Sequence, residues 1–295
     1  MLQKSSAVVR ARAADALAQL GDPRFDPTRF HLPTDPMLGF VHIAADPTFK
    51  IGTRKADAKR VEKITGFAVH ENEINDQATP APEFYIARYL VTVAQFRAFI
   101  DATKFKLGDE DALRDPGNRA LRFVSWHDAL AYCDWPSNGL STAPILADSH
   151  VARLVRERGW RVGLPSELEW EKAARGNLRD AVFSWGDNPD PNAANYADTD
   201  INTTSGVGCF AANDFGLYDM LGNVWEWTSS NYKDYPYRVD DGRENLQGKE
   251  ARLVRGSSWG NNVDDARCAY RGWDYPDLRV SGLGFRVVLR PPPVR

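Results

Sequence analysis

The chain has 295 residues, of which 43% are hydrophobic and 26% are charged, and this composition is typical of a soluble globular protein. Its formal net charge of −3 argues against a nucleic-acid partner, no apolar run reaches the roughly 20 residues of a membrane helix, and the N-terminus lacks an apolar signal core. Its three cysteines (Cys133, Cys209 and Cys268) are odd in number and far apart, which predicts reduced thiols and a cytoplasmic location.

The first predicted element is a helix over residues 5–20, which ends before Gly21-Asp22-Pro23. Its apolar face would be formed by Val8, Ala11, Leu17 and Leu20. Two interpretations of residues 1–36 stay open. They are either a helical arm packed on the domain that follows, or the remnant of a helical-repeat or signalling region with a partner on another chain.

Strands are predicted at 39–43 and 84–87, and three helices follow, each after a capping residue. The caps are Thr92, Ser125 and Ser166, the last with Glu169 in a capping box. Beyond residue 177 the helix signals fade, and tryptophans punctuate short predicted strands. These are Trp185, Trp225, Trp227, Trp259 and Trp273.

Several motifs occur in an order that resembles the formylglycine-generating-enzyme, or sulfatase-modifying-factor, family. They are Val124-Ser125-Trp126, Leu164-Pro165-Ser166-Glu167-Leu168-Glu169-Trp170, Asn213-Asp214-Phe215-Gly216-Leu217, Gly222-Asn223-Val224-Trp225-Glu226-Trp227, Arg255-Gly256-Ser257-Ser258-Trp259 and Gly284-Phe285-Arg286. The resemblance covers about residues 37–290. It implies an α+β C-type lectin fold, irregular, with short strands and a few helices, over residues 37–295 after an N-terminal arm at 1–36.

The alternation around Glu226 fits such a strand. Trp225 and Trp227 are predicted to face one side of it and the carboxylate the other.

The resemblance does not extend to the catalytic residues. The oxygenase activity of the family needs a copper-binding cysteine pair just after the Arg-Gly-Ser strand, and here residues 260–265 contain no cysteine. Cys268 matches a downstream, non-catalytic position and is interpreted as a small buried side chain. A related branch uses three histidines to bind iron, whereas the five histidines here show no ligand spacing, and His70 is assigned to a solvated acidic loop. We therefore expect no enzymatic activity and no copper or iron, with a diverged enzyme as the alternative.

The family resemblance also implies structural calcium. Asp219, Gly222, Val224 and Glu226 would form one site, and Asn195 and Tyr196 would contribute to a second. Carboxylate and carbonyl oxygens are ligands that suit Ca²⁺. The alternative is that Glu226 simply hydrogen-bonds a loop.

The stretch from Arg252 to Val288 alternates fixed-looking pieces with short runs of aromatic, acidic, small and aliphatic residues, the composition of a contact surface. It looks like the variable region, here about residues 255–288, of a diversity-generating retroelement protein. In such proteins randomised adenines convert Asn codons to Gly, Asp, Tyr, Ser, Val or Leu, and an Arg codon to Trp. The predicted variable residues are Gly260, Asp264, Asp265, Tyr270, Gly272, Trp273, Asp274, Tyr275, Leu278, Val280, Ser281 and Gly282. The alternative is a diverged family member with an ordinary loop.

Within this region the residues are expected to have two roles. Trp273, Tyr275 and Tyr270 would be anchors for a ligand that is itself a protein surface. Arg271 and Arg279, with Asp277, would hold the loops in place through ion pairs and hydrogen bonds. Leu283 is also reachable by the same codon changes, from Ile. A third hypothesis makes the chain an accessory module of a signalling or defence system.

Overall fold

The computed structural model describes residues 5–142, 146 and 148–292, and within them the chain forms six helices and ten short strands. The helices are α1 (Ala7–Leu20), α2 (Ala58–Thr65), α3 (Val93–Thr103), α4 (Trp126–Thr142), α5 (His150–Arg158) and α6 (Glu167–Arg175). The strands are β1 (Phe25–Asp26), β2 (Leu32–Pro33), β3 (Phe40–Ile43), β4 (Phe84–Ala87), β5 (Arg161–Gly163), β6 (Trp225–Asn231), β7 (Arg252–Arg255), β8 (Gly272–Asp274), β9 (Leu283–Gly284) and β10 (Val288–Arg290). Residues 1–4 of the predicted N-terminal arm and residues 293–295 of the predicted domain lie outside the described residues.

The helices begin at the predicted capping residues. The Thr92 hydroxyl accepts a hydrogen bond from the Gln95 backbone N–H at 3.3 Å, and the Gln95 side chain accepts one from Thr92 at 3.0 Å. Ser166 and Glu169 form the same reciprocal pair ahead of α6. Each pair satisfies two N–H groups that a helix terminus would otherwise leave without partners.

Helix α1 ends at the predicted residue but begins at Ala7, two residues later than predicted, and the predicted apolar face is partly wrong. Leu20 is 85% exposed, and the buried face consists of Ala7, Arg10, Ala11 and Ala14. Small side chains let the helix approach the domain closely, and the Arg10 guanidinium then donates to the carbonyls of Cys209 (2.8 Å) and Asn192 (2.7 Å). The helix is therefore attached to the domain by alanines and a buried arginine, and Leu20, which the hydrophobic pattern placed on this face, is exposed.

Two four-stranded sheets organise the domain. The first has the order β3-β4-β10-β5 and is antiparallel throughout, so the last described strand of the chain lies at its centre. The second has the order β8-β7-β6-β9, with β6 and β9 parallel. Strand β8 is therefore an edge strand, which leaves its outer side available to other contacts.

The strand around Glu226 has the predicted alternation. Trp227 is fully buried in the larger hydrophobic cluster, Trp225 packs against the same cluster, and Glu226 points the other way. The acid does not reach solvent, however, since it lies buried beside Arg286 at 2.7 Å. Both faces of β6 are thus covered, and the tryptophans make this strand the support for the neighbouring loops.

No described helix combines the length and apolar character needed to cross a membrane.

Candidate binding surface

The twelve predicted variable residues, here called the C-terminal surface, all keep some solvent exposure. Gly260, Trp273, Tyr275 and Val280 are exposed. Asp264, Asp265, Tyr270, Gly272, Asp274, Leu278, Ser281 and Gly282 are partly exposed. Residues 266–269 and 271 between them and residues 255–258 and 284–286 beside them are buried, whereas Asn262 and Asp277 are exposed and Arg279 is partly exposed. Buried and exposed segments therefore alternate along this part of the chain, much as the fixed-looking and variable pieces of its sequence do.

Two tryptophans outside the predicted set bring the loops of the C-terminal surface together. The Trp225 indole N–H donates to Asn261 Oδ1 at 3.0 Å, and its ring lies 5.8 Å from that of Tyr270. The Trp259 indole N–H donates to the carbonyl of Ser281 at 3.1 Å. These contacts join the turn after β7 to the loop before β9. Sequence reasoning assigned both tryptophans to the scaffold and missed their place in the surface.

The expected anchors differ in their exposure. Trp273 is 49% and Tyr275 is 63% exposed, and their rings meet edge to face at a centroid distance of 5.8 Å. Tyr232, which was not predicted, extends this group at 6.1 Å from Trp273. Tyr270 is less accessible: burial, followed by the nearby Asp265 carboxylate, raises the pKa of its phenol. Trp273 and Tyr275 therefore have the exposure that anchors would need, whereas Tyr270 is less exposed and packs against Trp225.

The three glycines of the C-terminal surface have different surroundings. A Cβ at Gly260 would meet no heavy atom within 4 Å. One at Gly272 would lie 2.9 Å from Val254 Cγ2, and one at Gly282 would lie 2.9 Å from Ser258 Oγ. Side chains are therefore accommodated freely at 260, whereas at 272 and 282 a neighbour must move.

Arg271 and Arg279 are scaffold residues, as predicted. The Arg271 guanidinium donates to Glu167 at 2.6 and 3.1 Å and to two backbone carbonyls, and that of Arg279 donates to Asp128 at 2.8 and 3.1 Å. Asp277 has a scaffold contact only through its backbone: its carbonyl accepts from Arg279 at 3.4 Å, whereas its carboxylate is 90% exposed and lies 3.6 Å from the His127 imidazole. Leu283 is buried beside β6 and does not belong to the surface.

Glu167 is a residue that sequence reasoning missed. Its fully buried carboxylate accepts from Arg271 (2.6 Å), Arg255 (3.0 Å) and the Tyr235 hydroxyl (3.1 Å). Burial acts to raise the pKa of this carboxyl, but Arg271, Arg255 and then Arg243 outweigh it and the pKa is lowered. Glu167 is therefore ionised and ties α6 to β7 and to the start of β8. Its position in the first turn of a helix offered no signal beyond a favourable helix dipole.

A second buried pair corrects the interpretation of residues 70–73 as a solvated loop. His70 is exposed, but Glu73 is buried and accepts from both terminal nitrogens of Arg267, at 2.6 and 3.0 Å. These partners are separated by 194 positions in the chain. The pair holds the buried piece between Asp265 and Tyr270 in place.

The cysteines are free thiols, and the described side chains form no metal-binding cluster. The interpretation of Cys268 as a small buried side chain is confirmed, since it is fully buried and burial raises the pKa of its thiol to about 12. Cys133 and Cys209 are free thiols as well. Across residues 5–142, 146 and 148–292, no cluster of three or more His, Cys, Asp or Glu side chains is arranged to hold a metal ion.

The oxygens of the predicted calcium ligands differ in how many hydrogen bonds they already accept within the protein. Both oxygens of Glu226 accept from Arg286, at 2.7 and 2.9 Å, and Arg286 also donates to the Asp219 carbonyl. Glu226 thus has the hydrogen-bonding role given as the alternative, and it does not fit as a cation ligand. The Asp219 carboxylate accepts from Gly208 N–H at 2.7 Å, and burial raises its pKa.

The second set fits an oxygen-bound cation better. Asn195 Oδ1 is buried without a hydrogen-bond partner in the described part of the chain, and Tyr196 is buried next to it. Of the other predicted ligands, the Gly222 carbonyl accepts a hydrogen bond from the Val224 N–H at 2.9 Å. Calcium stays a prediction for this region.

Comparison with known families agrees with this architecture. Residues 48–291 match the model of the sulfatase-modifying factor enzyme 1-like domain. The chain belongs to this family. The resemblance drawn from the motifs is therefore confirmed, and so is the α+β fold that it implied.

Relatives within the sulfatase-modifying factor family include inactive and active proteins. The chain is 35% identical over 195 residues to an inactive C-alpha-formylglycine-generating enzyme 2 of Bos taurus, covering 61% of this chain and 53% of that protein. It is 31% identical over 253 residues to a hercynine oxygenase of Mycolicibacterium thermoresistibile, covering 74% and 53% respectively. The chain spans about half the length of these curated relatives.

A solved structure, variable protein 1 of Treponema denticola, has the same fold. It superimposes with a TM-score of 0.62 at 23% sequence identity and covers 85% of this chain and 95% of that one.

Proposed function

We propose that this family member is a non-enzymatic ligand-binding protein whose C-terminal surface is diversified by a retroelement. The observation that carries the proposal is the match between two independent patterns. The twelve residues of the C-terminal surface all keep some solvent exposure, although Leu283, a further position reachable by the same codon changes, is buried; Arg267, Cys268 and Arg271 between them are also buried. A position that must accept many side chains has to lie outside the close-packed interior, where a single extra methylene is already costly.

The buried ion pairs support this function by holding the surface still. Arg267, Arg271 and Arg279 each come from the diversified stretch and each pair with an acid elsewhere in the fold. Changes at neighbouring exposed positions then leave the backbone in place. A backbone fixed before binding lowers the ordering cost of association, which favours affinity from unoptimised sequences.

The relatives are compatible with a role other than catalysis. One matched homologue is named as inactive, and residues 260–265 of this chain lack the cysteine pair that the oxygenase reaction needs. The Treponema denticola protein, named a variable protein, has the same fold. A diverged enzyme is the competing function, because another homologue is a hercynine oxygenase.

The deciding experiment is to sequence the DNA around the gene. We expect a near-copy of the codons for residues 255–288 that differs almost only where the copy has adenine, next to a reverse-transcriptase gene. Absence of such a copy would refute the retroelement proposal. Redox-metal analysis of the purified chain addresses the competing function, since stoichiometric copper or iron would support an enzyme.

A further inference from the structure

The arginines of the C-terminal region form ion pairs with buried acidic residues of the same chain. Between residues 260 and 283 the cationic residues are Arg267, Arg271 and Arg279. They pair with Glu73 (2.6 Å), Glu167 (2.6 Å) and Asp128 (2.8 Å), three acids that lie outside this stretch. All three guanidiniums therefore have a counter-ion within the protein, and of the three only Arg279 keeps part of its side chain, 28%, exposed.

The negative side chains of the same stretch have no arginine or lysine partner among the described residues, although His127 Nε2 lies 3.6 Å from the Asp277 carboxylate. They are Asp264, Asp265, Asp274 and Asp277. In the described part of the chain no Lys or Arg lies within ion-pair distance of any of these carboxylates. Asp274 accepts from the Tyr275 N–H at 2.9 Å, and burial without a compensating cation raises its pKa. The outward charge of this surface is consequently negative.

The exposed aromatic rings also lack cations. Inside the protein, guanidiniums stack on aromatic rings repeatedly: Arg252 lies 3.9 Å from the Trp126 centroid, and Arg271 lies 4.0 Å from that of Tyr235. No such cation lies over Trp273 or Tyr275 among the described residues. Since an exposed indole face attracts ammonium and guanidinium groups, these two rings offer the same contact to a partner.

From these observations we propose that the C-terminal surface of this chain binds a basic protein segment. Its Lys or Arg side chains would lie against Trp273 and Tyr275, with Asp274 and Asp277 as their counter-ions. Complementary charge also speeds encounter and excludes acidic competitors. This inference rests on the proposed function and narrows the chemistry of the ligand.

The test uses four fluorescent peptides of one length, with the repeats Gly-Arg, Gly-Lys, Gly-Glu and Gly-Ser. Binding to the full chain is measured by anisotropy at about 50 and about 300 mM salt, where charge screening differs strongly. We expect the Gly-Arg and Gly-Lys peptides to bind, and to bind more weakly at the higher salt. The Gly-Glu and Gly-Ser peptides should not bind detectably.

Variants then locate the contact. Trp273→Ala and Asp274→Asn should each weaken binding of the Gly-Arg peptide roughly three- to tenfold, as expected for loss of one cation–π or charge contact. Phe67→Ala is the matched aromatic control, because Phe67 is 47% exposed and lies in another part of the chain. Asp101→Asn on the exposed side of α3 is the acidic control. Neither control should change the affinity.

The outcomes separate this inference from the function on which it rests. If the Gly-Glu or Gly-Ser peptide binds as well as Gly-Arg and responds to Trp273→Ala, the surface binds ligands but the charge argument is refuted. If the basic peptides bind but only the control variants change their affinity, the inference is refuted as well. It is also refuted if no peptide binds. A missing template repeat would in addition remove the retroelement function.

Discussion

Replacing Glu167 by glutamine should destabilise the protein more than almost any other isosteric change. The carboxylate is fully buried, and it receives hydrogen bonds from Arg271 at 2.6 Å and Arg255 at 3.0 Å, with Arg243 at 3.8 Å. Glutamine keeps the shape but removes the negative charge. Buried guanidiniums are then left without a full counter-charge, although Arg255 keeps Glu171 at 2.6 Å.

The magnitude follows from the number of partners and their burial. Removing one member of a buried ion pair typically costs 3–5 kcal/mol, so we expect about 3–5 kcal/mol for Glu167→Gln. This is a large fraction of the roughly 5–15 kcal/mol that stabilises a native protein. The matched control is Glu157→Gln on α5, whose carboxylate is 62% exposed and 3.9 Å from Arg156. It should change the free energy of unfolding by less than about 0.5 kcal/mol.

The assay is equilibrium unfolding in urea, followed by tryptophan fluorescence. The unfolding midpoint of Glu167→Gln should fall while the slope with denaturant stays the same. The difference from the wild type should also depend on pH. Because the pKa of Glu167 is lowered in the fold, its stabilisation is complete above the ordinary glutamate pKa of about 4.3. It is lost as the pH falls through the lower folded value.

Two results would refute this reasoning. A loss of less than about 1 kcal/mol would mean that the guanidiniums find other partners or water. A difference from the wild type that persists unchanged in acid would mean that glutamine acts through packing rather than through the lost charge.

Three further predictions address the surface and the core. Gly260→Ala should leave the free energy of unfolding within about 0.5 kcal/mol of wild type, whereas Gly282→Ala should cost about 1–3 kcal/mol in the same urea assay, because its Cβ would lie 2.9 Å from Ser258 Oγ. Equal effects would contradict the unequal space around the two glycines. Trp273→Ala should leave the free energy of unfolding nearly unchanged, whereas Trp227→Ala should lower it by about 3–5 kcal/mol, because only the Trp227 indole is fully buried. A comparable loss for both variants in thermal unfolding would place Trp273 in the core. Cys268 should not react with a thiol reagent at pH 8 until the protein is unfolded, since its pKa is about 12 and it is buried; fast labelling located by mass spectrometry would show that the site opens.

Much of the local structure and of the surface could be predicted because short-range chemistry decides it. Thr92 and Ser166 start helices through bonds to residues three positions away, and these pairs are visible as capping boxes. The fixed and variable pieces between Arg255 and Arg286 likewise indicated most of the exposed positions, because the same alternation separates packed from solvated side chains, but Leu283 is buried and the Asp277 carboxylate is exposed. The family could be assigned from the order of its motifs.

The roles that were missed depend on partners far away in the chain. Glu73 pairs with Arg267 across 194 positions and Glu167 with Arg271 across 104, so neither acid could be distinguished from a solvated one. Leu20 looked like a core residue, but α1 packs through its alanines and Arg10.

The sequence by itself determined the family, the starts of the capped helices and most of the C-terminal residues that face solvent. Only the tertiary structure decided which of them can vary freely, since Val254 limits the space beside Gly272 and Ser258 that beside Gly282, whereas Gly260 has no such neighbour within 4 Å. It also decided that the arginines of the surface region are neutralised from within. The physical reason is that capping and alternation are local, whereas close packing and charge compensation depend on atoms that only folding brings together.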